Sequence, residues 1–110
     1  MGATKTSHFS ERQNELAIIA KALGHPARIA IIEHLINVDA CICGDIVNQL
    51  PLAQPTVSQH LKELKNANLI KGNIEGNSIC YCLDKTTWNR FLTILNSFLD
   101  KKNSTDNTCC

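Results

Sequence analysis

Three pairs of closely spaced cysteines are the residues of this sequence most capable of specific chemistry. The pairs are Cys41 with Cys43, Cys80 with Cys82, and Cys109 with Cys110. Reduced cysteines form thiolates, which bind soft metal ions and oxidise to disulfides. An even cysteine count also fits a secreted disulfide framework, but the close spacings and the lack of an apolar signal segment favour metal or redox chemistry in a reducing compartment.

The size and the charge of the chain limit what it can bind. Its 110 residues correspond to one small domain. A net charge of +1 is low for a nucleic-acid-binding monomer, so two copies would have to share the contacts. Positive charge is concentrated at Lys62, Lys65 and Lys71, which are opposed only by Glu63. No apolar run is long enough to cross a membrane, and we expect a cytoplasmic protein without a membrane partner.

Apolar residues at helical spacing predict helices through the first half of the chain. The first helix runs to Gly24, and Pro26 begins a second that is rich in isoleucine and expected to be buried on most sides. Asp39 is a candidate N-cap for a third helix that ends near Pro51. We expect a flexible arm at residues 1–12, a folded domain at 13–101 and a flexible, cysteine-ending tail at 102–110.

The next predicted helix begins at Gln54 and has two chemically different faces. Val57, Leu61 and Leu64 form its apolar face. The polar groups on its other face are Gln54, Thr56, Ser58, Gln59, His60 and Lys62. Such side chains can meet base edges and phosphates, so the pattern predicts the recognition helix of a helix-turn-helix. For His60, a phosphate contact and a structural hydrogen bond are both open.

Two predicted strands, Leu69–Glu75 and Ser78–Leu83, follow this helix and form a hairpin around Gly76 and Asn77. Alternation along the second strand predicts an inward face and places its two cysteines on the other face. The residues expected to contact the DNA backbone from this wing are Lys71, Asn73 and Asn77. The predicted fold is therefore mainly α with a β-hairpin, a winged helix-turn-helix.

A long apolar stripe marks the last predicted helix. It consists of Trp88, Phe91, Leu92, Leu95, Phe98 and Leu99. The stripe holds most of the aromatic residues of the chain and is larger than a small monomer needs for its own core. We therefore expect this helix to pack on a partner subunit. His25, which precedes Pro26, is interpreted as a local cap rather than as a ligand.

Several stretches of the chain resemble the ArsR/SmtB family of metal-responsive repressors. They are Leu23–Ile32, Cys41–Cys43, Gln54–Leu64, and Gly76 followed by Tyr81. The resemblance implies a homodimer formed through the first and last helices, which binds an inverted repeat in double-stranded operator DNA. It also implies repression that is relieved when an inducer binds, and no catalytic cofactor is expected.

The departures from this family concern the inducer. Arsenic-sensing members resemble the chain at Cys41 and Cys43, but many have a third cysteine where Ile46 stands. The arm lacks the cysteines of cadmium and lead sensors, and the last helix lacks the histidine of zinc and nickel sensors. The resemblance therefore supports a thiol site near Cys41 and Cys43 and leaves its third ligand open. As(III) or Sb(III) is the expected inducer, because trivalent arsenic is soft and the chain offers thiols without histidine or carboxylate company. Its expected ligands are Cys41, Cys43, Cys109 and Cys110.

Helix geometry makes it difficult for Cys41 and Cys43 to bind the same ion. Residues two apart on a helix point about 200° apart, so Cys41 and Cys43 can chelate one ion only if the first helical turn unwinds. The polar tail offers no packing reason for Cys109 and Cys110, which could complete the site within one subunit or across the dimer. Cys80 and Cys82 are the weaker candidates.

Other functions remain open. The thiols could form a redox switch that releases DNA on oxidation, or they could sense another soft ion such as Cd(II) or Pb(II). A module in which the cysteines are only core or surface residues is a third alternative. The sequence shows no Ser-His-Asp set, phosphate-binding glycine loop or carboxylate pair, so an enzyme is not expected.

Overall fold

The computed structural model of the chain describes residues 8–43, 53–75 and 78–103. Four helices and three strands lie in these residues. The helices are α1 (Glu11–Ala22), α2 (Pro26–Val38), α3 (Gln54–Asn66) and α4 (Lys85–Asn103). The strands are β1 (Ile42–Cys43), β2 (Ile70–Glu75) and β3 (Ser78–Leu83). None of the helices in these residues has the length and apolar character needed to cross a membrane.

Helix α1 begins at a capping box, within the stretch predicted to be a flexible arm. The Ser10 hydroxyl accepts a hydrogen bond from the Gln13 backbone N–H at 3.1 Å, and the Gln13 side chain accepts one from the Ser10 N–H at 2.9 Å. Two N–H groups that the helix leaves unpaired are thereby satisfied. The helix ends just before Gly24, as predicted.

Helix α2 begins at Pro26, as predicted, and His25 is its N-cap. The His25 Nδ1 atom accepts a hydrogen bond from the Ala27 N–H at 3.0 Å, which confirms the interpretation of this histidine as a local cap. The predicted burial on most sides is wrong, because Ile29 and Ile36 are each 42% exposed. One face of α2 is buried, and its residues are Ile31, Ile32 and Leu35.

The predicted helix start at Asp39 is wrong. Asp39 instead ends α2 in the left-handed conformation, with φ 48°, and its N–H donates to the Leu35 carbonyl at 3.2 Å. A short polar side chain tolerates this conformation better than most. The chain then turns into strand β1 at Ile42, so Cys41 and Cys43 are not in a helical turn. The remainder of the predicted helix, 44–52, lies outside the described residues.

The three strands form one antiparallel sheet in the order β1-β3-β2. The hairpin of β2 and β3 confirms the predicted wing, with strand ends within one residue of those expected. Tyr81 occupies the centre of the sheet, since it is paired with Ile42 on one side and with Gly72 on the other. The turn of the hairpin, residues 76–77, lies outside the described residues.

The inward face predicted for β3 is correct at one end of the strand and wrong at the other. Tyr81 and Leu83 pack against the core, but Ile79 is 47% exposed and Cys80 is only 1% exposed. Ile79 lies beside the hairpin turn, whereas Cys80 lies between β1 and β2. A residue flanked by strands on both sides loses more solvent contact than one at the end of a hairpin.

Candidate functional site

Helix α3 presents the polar face that the sequence predicts. Val57 and Leu64 are 0% exposed and Leu61 is 4% exposed, and all three belong to the hydrophobic core. The exposed polar residues of the helix include Thr56, Ser58, Gln59 and Lys62. The side chain of Gln54 lies outside the described part of the structure. Burial of one face therefore holds the other face outward, available to a large partner such as a DNA groove.

The end of α3 is closed by a left-handed turn that leads into the wing. Asn68 has φ 62°, and the Leu69 N–H donates to the Leu64 carbonyl at 3.1 Å. This six-to-one hydrogen bond is the Schellman arrangement. Leu69 and Ile70 are buried directly after it. The turn therefore sets how the wing projects from the helix.

Three lysines give the helix and the wing a positive surface. Lys62, Lys65 and Lys71 are all exposed, the first two on α3 and the third on β2. A Cβ atom placed on Gly72 would lie 3.4 Å from the Lys65 Nζ atom, so the Lys65 side chain crosses the base of the wing. The side chain of Asn73 and the whole of Asn77 lie outside what the structure describes.

His60 differs from the other polar residues of α3, because it is buried at 6% exposure. The Arg28 Nε–H donates to its Nδ1 atom at 3.1 Å, and the His25 ring lies 4.3 Å away between centroids. Arg28 also donates to the Ala22 carbonyl at 3.2 Å. His60 is therefore removed from the DNA-contact set and joins α3 to α2, which is the structural alternative that the sequence left open.

Burial favours the neutral form of the His60 ring. Loss of solvent lowers the pKa of His60 from its ordinary 6.5, and the nearby His25 and Arg28 lower it further. An arginine N–H can only donate, so Nδ1 is an acceptor and the proton of the neutral ring is on Nε2. Among the described residues, no group accepts a hydrogen bond from this buried Nε2. Protonation would thus place a second positive charge beside Arg28.

The cysteines of β1 and β3 are brought together by strand pairing. Cys43 is the register partner of Cys80, and Cys41 forms a disulfide with Cys82 across a Cα–Cα distance of 4.3 Å. Cys80 is also disulfide-bonded. Cys109 and Cys110 lie outside the described residues.

A cavity of about 360 Å³ opens beside the Cys41–Cys82 pair. Its walls combine the two cysteines with apolar side chains of α2 and α4, among them Leu35 and Trp88. Lys85 lines it too and forms an ion pair with Asp39 at 2.9 Å, in which both side chains are largely exposed. Among the described side chains, no group of three or more histidine, cysteine or acidic residues is placed to hold one ion.

An apolar groove of about 660 Å³ separates α1 from α4. Its lining includes Leu16, Ala17 and Ala20 from α1 and Phe91, Ile94, Leu95 and Phe98 from α4. Phe98 is 58% exposed, whereas Phe91 is 7% exposed and belongs to the core of the subunit. Ion pairing between Arg90 and Glu15 connects the two helices. The stripe predicted on α4 therefore has one side in the core and another exposed.

In the sequence, Cys80 and Cys82 are only the weaker candidates for metal ligands. No feature of the sequence identifies Arg28 as a residue of the site. One signal for the cysteines is present, since both Cys-x-Cys pairs lie among β-branched or aromatic neighbours: Ile42, Ile79 and Tyr81. Two segments with the same alternation are candidates for pairing. No comparable signal points to Arg28, because its role depends on contacts with residues of two other helices.

The chain is similar in sequence to known bacterial regulators. Residues 25–71 match the family described as bacterial regulatory protein, arsR family. An arsenical resistance operon repressor from Staphylococcus xylosus is 34% identical over 95 residues, which are 86% of this chain and 86% of that protein. A biofilm growth-associated repressor from Agrobacterium fabrum is 33% identical over 75 residues, which are 68% of this chain and 63% of that protein.

The fold is similar to that of solved regulators. An ArsR-like transcriptional regulator from Rhodococcus sp. RHA1 has a TM-score of 0.73 at 21% sequence identity. The match covers 86% of this chain and 88% of that chain. At such low identity the likeness concerns the fold alone, and it confirms the winged helix-turn-helix predicted from the sequence.

Proposed function

Because this chain belongs to the ArsR family of DNA-binding transcriptional repressors, we propose that it leaves its operator when arsenite or antimonite binds to cysteine thiolates. Family membership also makes it a regulator rather than an enzyme. The observation that carries the proposal is that strand pairing brings Cys41 and Cys82 together in a domain whose helix α3 presents an exposed polar face. We place this activity in the cytoplasm, where thiols stay reduced.

Operator recognition is assigned to α3 and the wing. Thr56, Ser58 and Gln59 are exposed and suited to base edges in a major groove, while Lys71 is suited to the phosphate backbone. The other proposed contacts are Gln54, Lys62, Asn73 and Asn77. Because the net charge is only +1, a single subunit has little electrostatic attraction for DNA. Two subunits would place their α3 helices in successive major grooves, about 34–36 Å apart on an inverted repeat.

The proposed homodimer uses the groove between α1 and α4. The exposed apolar side chains there supply a surface that a second copy can cover, as the ArsR resemblance implies. We expect Phe98→Asp to produce monomers and weaken operator binding, because a carboxylate would be buried without a partner charge. Sedimentation velocity measures the change.

The choice of Phe98 follows from the burial of its neighbour. Phe91→Asp would disrupt the core of each subunit, so loss of the dimer in that variant would not identify the interface. A matched control is Asn96→Asp, an exposed α4 position that does not line the groove. If Phe98→Asp sediments as a stable dimer, the subunits associate through another surface.

Cysteine thiolates are the proposed inducer ligands, because trivalent arsenic and antimony are soft and prefer sulfur to histidine or carboxylate. The ligand set expected from the sequence, Cys41 and Cys43 with Cys109 or Cys110, stays a proposal. The similarity to an arsenical resistance operon repressor supports arsenic as the ion. Binding must favour the conformation with low DNA affinity, since a ligand with equal affinity for both conformations changes nothing.

A thiol redox switch is the second candidate function. The Cys41–Cys82 disulfide supports it, since this pair is placed for bond formation. In that case two thiols would lose two electrons and two protons to hydrogen peroxide, which would be reduced to two molecules of water. Sensing of Cd(II) or Pb(II) remains a further alternative for the same thiols.

One experiment separates these functions. Operator binding is measured by fluorescence anisotropy on the full chain, first with a phosphine reductant and a panel of arsenite, antimonite, Cd(II) and Pb(II). It is then measured with hydrogen peroxide after the reductant has been removed. A dithiol reductant is avoided because it would compete for the ions. The proposal predicts release by arsenite or antimonite in the reduced protein. Release by peroxide alone would favour the redox switch, and release by none of these would contradict both.

A further inference from the structure

We propose that Cys41 and Cys82 together form a cross-strand dithiol site for a trivalent arsenical, with Cys82 of the wing as a ligand. This inference rests on the function proposed above and changes its ligand set. The two residues are separated by 41 positions in the chain, yet their Cα atoms are 4.3 Å apart. Two sulfur atoms that can bond to each other can also bind one arsenic atom between them when reduced.

The surroundings of this pair suit an organic arsenical as well as arsenite. Cys41 is exposed and Cys82 is half-buried, so a ligand reaches the sulfur atoms from solvent. The adjoining cavity of about 360 Å³ is lined by Leu35, Ile36 and Trp88, which can receive an apolar substituent on arsenic. Cys80, by contrast, is 1% exposed and therefore closed to such a ligand without rearrangement.

The chemistry of binding needs no oxidant. An arsenical with two hydroxyl groups, R–As(OH)₂, reacts with two thiols to give R–As(S–Cys)₂ and two molecules of water. Two As–O bonds and two S–H bonds break, two As–S bonds form, and arsenic stays trivalent. The disulfide is the competing state of the same two sulfur atoms, so the oxidised protein cannot bind the arsenical at this site.

Strand register connects this site to the proposed DNA contacts. Cys82 is the register partner of Lys71 on β2, and Cys80 is the register partner of Asn73. Residues directly opposite each other on neighbouring strands point to the same face of a sheet. Arsenic on Cys41 and Cys82 would thus lie one strand away from the exposed lysine of the wing. Bridging β1 to β3 can therefore change the position of the wing without a change in α3.

Phenylarsine oxide is the probe, because its arsenic has only two positions for thiolates and needs no third ligand. Binding to the reduced full-length protein is measured by calorimetry with a phosphine reductant, and operator release is measured in parallel. We expect Cys82→Ser and Cys41→Ser each to weaken phenylarsine oxide binding by about 100-fold, since one thiolate loses the advantage of chelation. Asn96→Asp, an exposed position on α4, is the matched control and is expected to retain wild-type affinity for this probe.

Three outcomes would overturn the inference. Full affinity in Cys82→Ser, together with loss in Cys43→Ser, would return the site to the Cys-x-Cys pair. Loss of phenylarsine oxide binding in Cys80→Ser alone would place the site at Cys43 and Cys80, which are register partners. Loss in Cys109→Ser/Cys110→Ser would place it on the tail. The proposed function is tested separately by arsenite release of wild-type protein from the operator, which can succeed under any of these outcomes.

Discussion

Helix α3 and strand β1 are held in the fold by different forces. Thirteen residues of α3 are anchored by side chains of the hydrophobic core, with Val57 and Leu64 fully buried. Strand β1 has two residues, pairs only with β3 among the described strands, and lies beside the Cys41–Cys82 link. The position of α3 is therefore set by packing, whereas β1 is held by a short strand pairing and an adjoining disulfide.

This difference indicates how one small domain can combine constant recognition with variable affinity. Packing of a core is insensitive to reductants and to soft ions, so the recognition surface keeps its shape. A two-residue strand has few hydrogen bonds to oppose a change at its cysteines. Under the proposed function, chemistry at the cysteines would move β1 and the wing while the helix stays folded.

The largest expected effect is on the stability of the domain and comes from the core packing of α3. Leu64→Ala should lower the free energy of unfolding by about 2–5 kcal/mol, because it removes a buried side chain and leaves a cavity. Urea denaturation with and without reductant measures it. Thr56→Ala is the exposed control on the same helix and should have little effect. A decrease seen only without reductant would mean that sulfur chemistry, not packing, anchors α3.

The next effect concerns the exposed side of α3. Ser58→Ala/Gln59→Ala should weaken operator binding by about 1–3 kcal/mol, the value of a good base contact. The unfolding transition and the oligomeric state should stay the same, because both residues are exposed. Fluorescence anisotropy on operator DNA gives the affinity, and Asn66→Ala is a control at the end of the helix. Unchanged affinity would remove α3 as the recognition element.

A smaller effect is expected at the wing. Lys71→Ala should weaken binding to operator and to unrelated DNA alike, because a phosphate contact carries no sequence information. It should also reduce the slope of log affinity against log salt by about 1 per subunit, since one lysine neutralises one phosphate. Salt titrations on both DNAs measure the slope. Weaker binding confined to the operator would show that Lys71 reads bases instead of contacting the backbone.

The smallest expected effect is the pH dependence caused by His60. Burial lowers its pKa in the folded protein from 6.5, so below pH 6.5 the unfolded chain binds a proton that the folded chain does not. Its contribution to stability is present above pH 6.5 and is lost as pH falls toward the lowered pKa. The difference in pH dependence between wild type and His60→Asn isolates this residue. Equal pH profiles for the two proteins would exclude the buried neutral histidine.

Local sequence patterns are sufficient to predict the elements whose characteristic residues lie close together in the chain. The apolar period of α3, Pro26 at the start of α2 and the two alternating strands around Gly76 each depend on residues close together in the chain. The structure agrees at these places because short-range sterics and one-sided burial decide them. The family resemblance comes from these same segments.

Tertiary structure alone decided the outcome where distant segments meet. Asp39 has the character of a helix cap, but it ends α2 because β1 can pair with β3. The alternation along β3 distinguishes its two faces but does not predict how far the core extends along the strand. In the structure Ile79 is exposed and Cys80 is buried. Cys82 reaches Cys41 across 41 positions, and His60 is buried beside Arg28 from another helix. Such contacts depend on which segments pack together, and local periodicity carries no information about that choice.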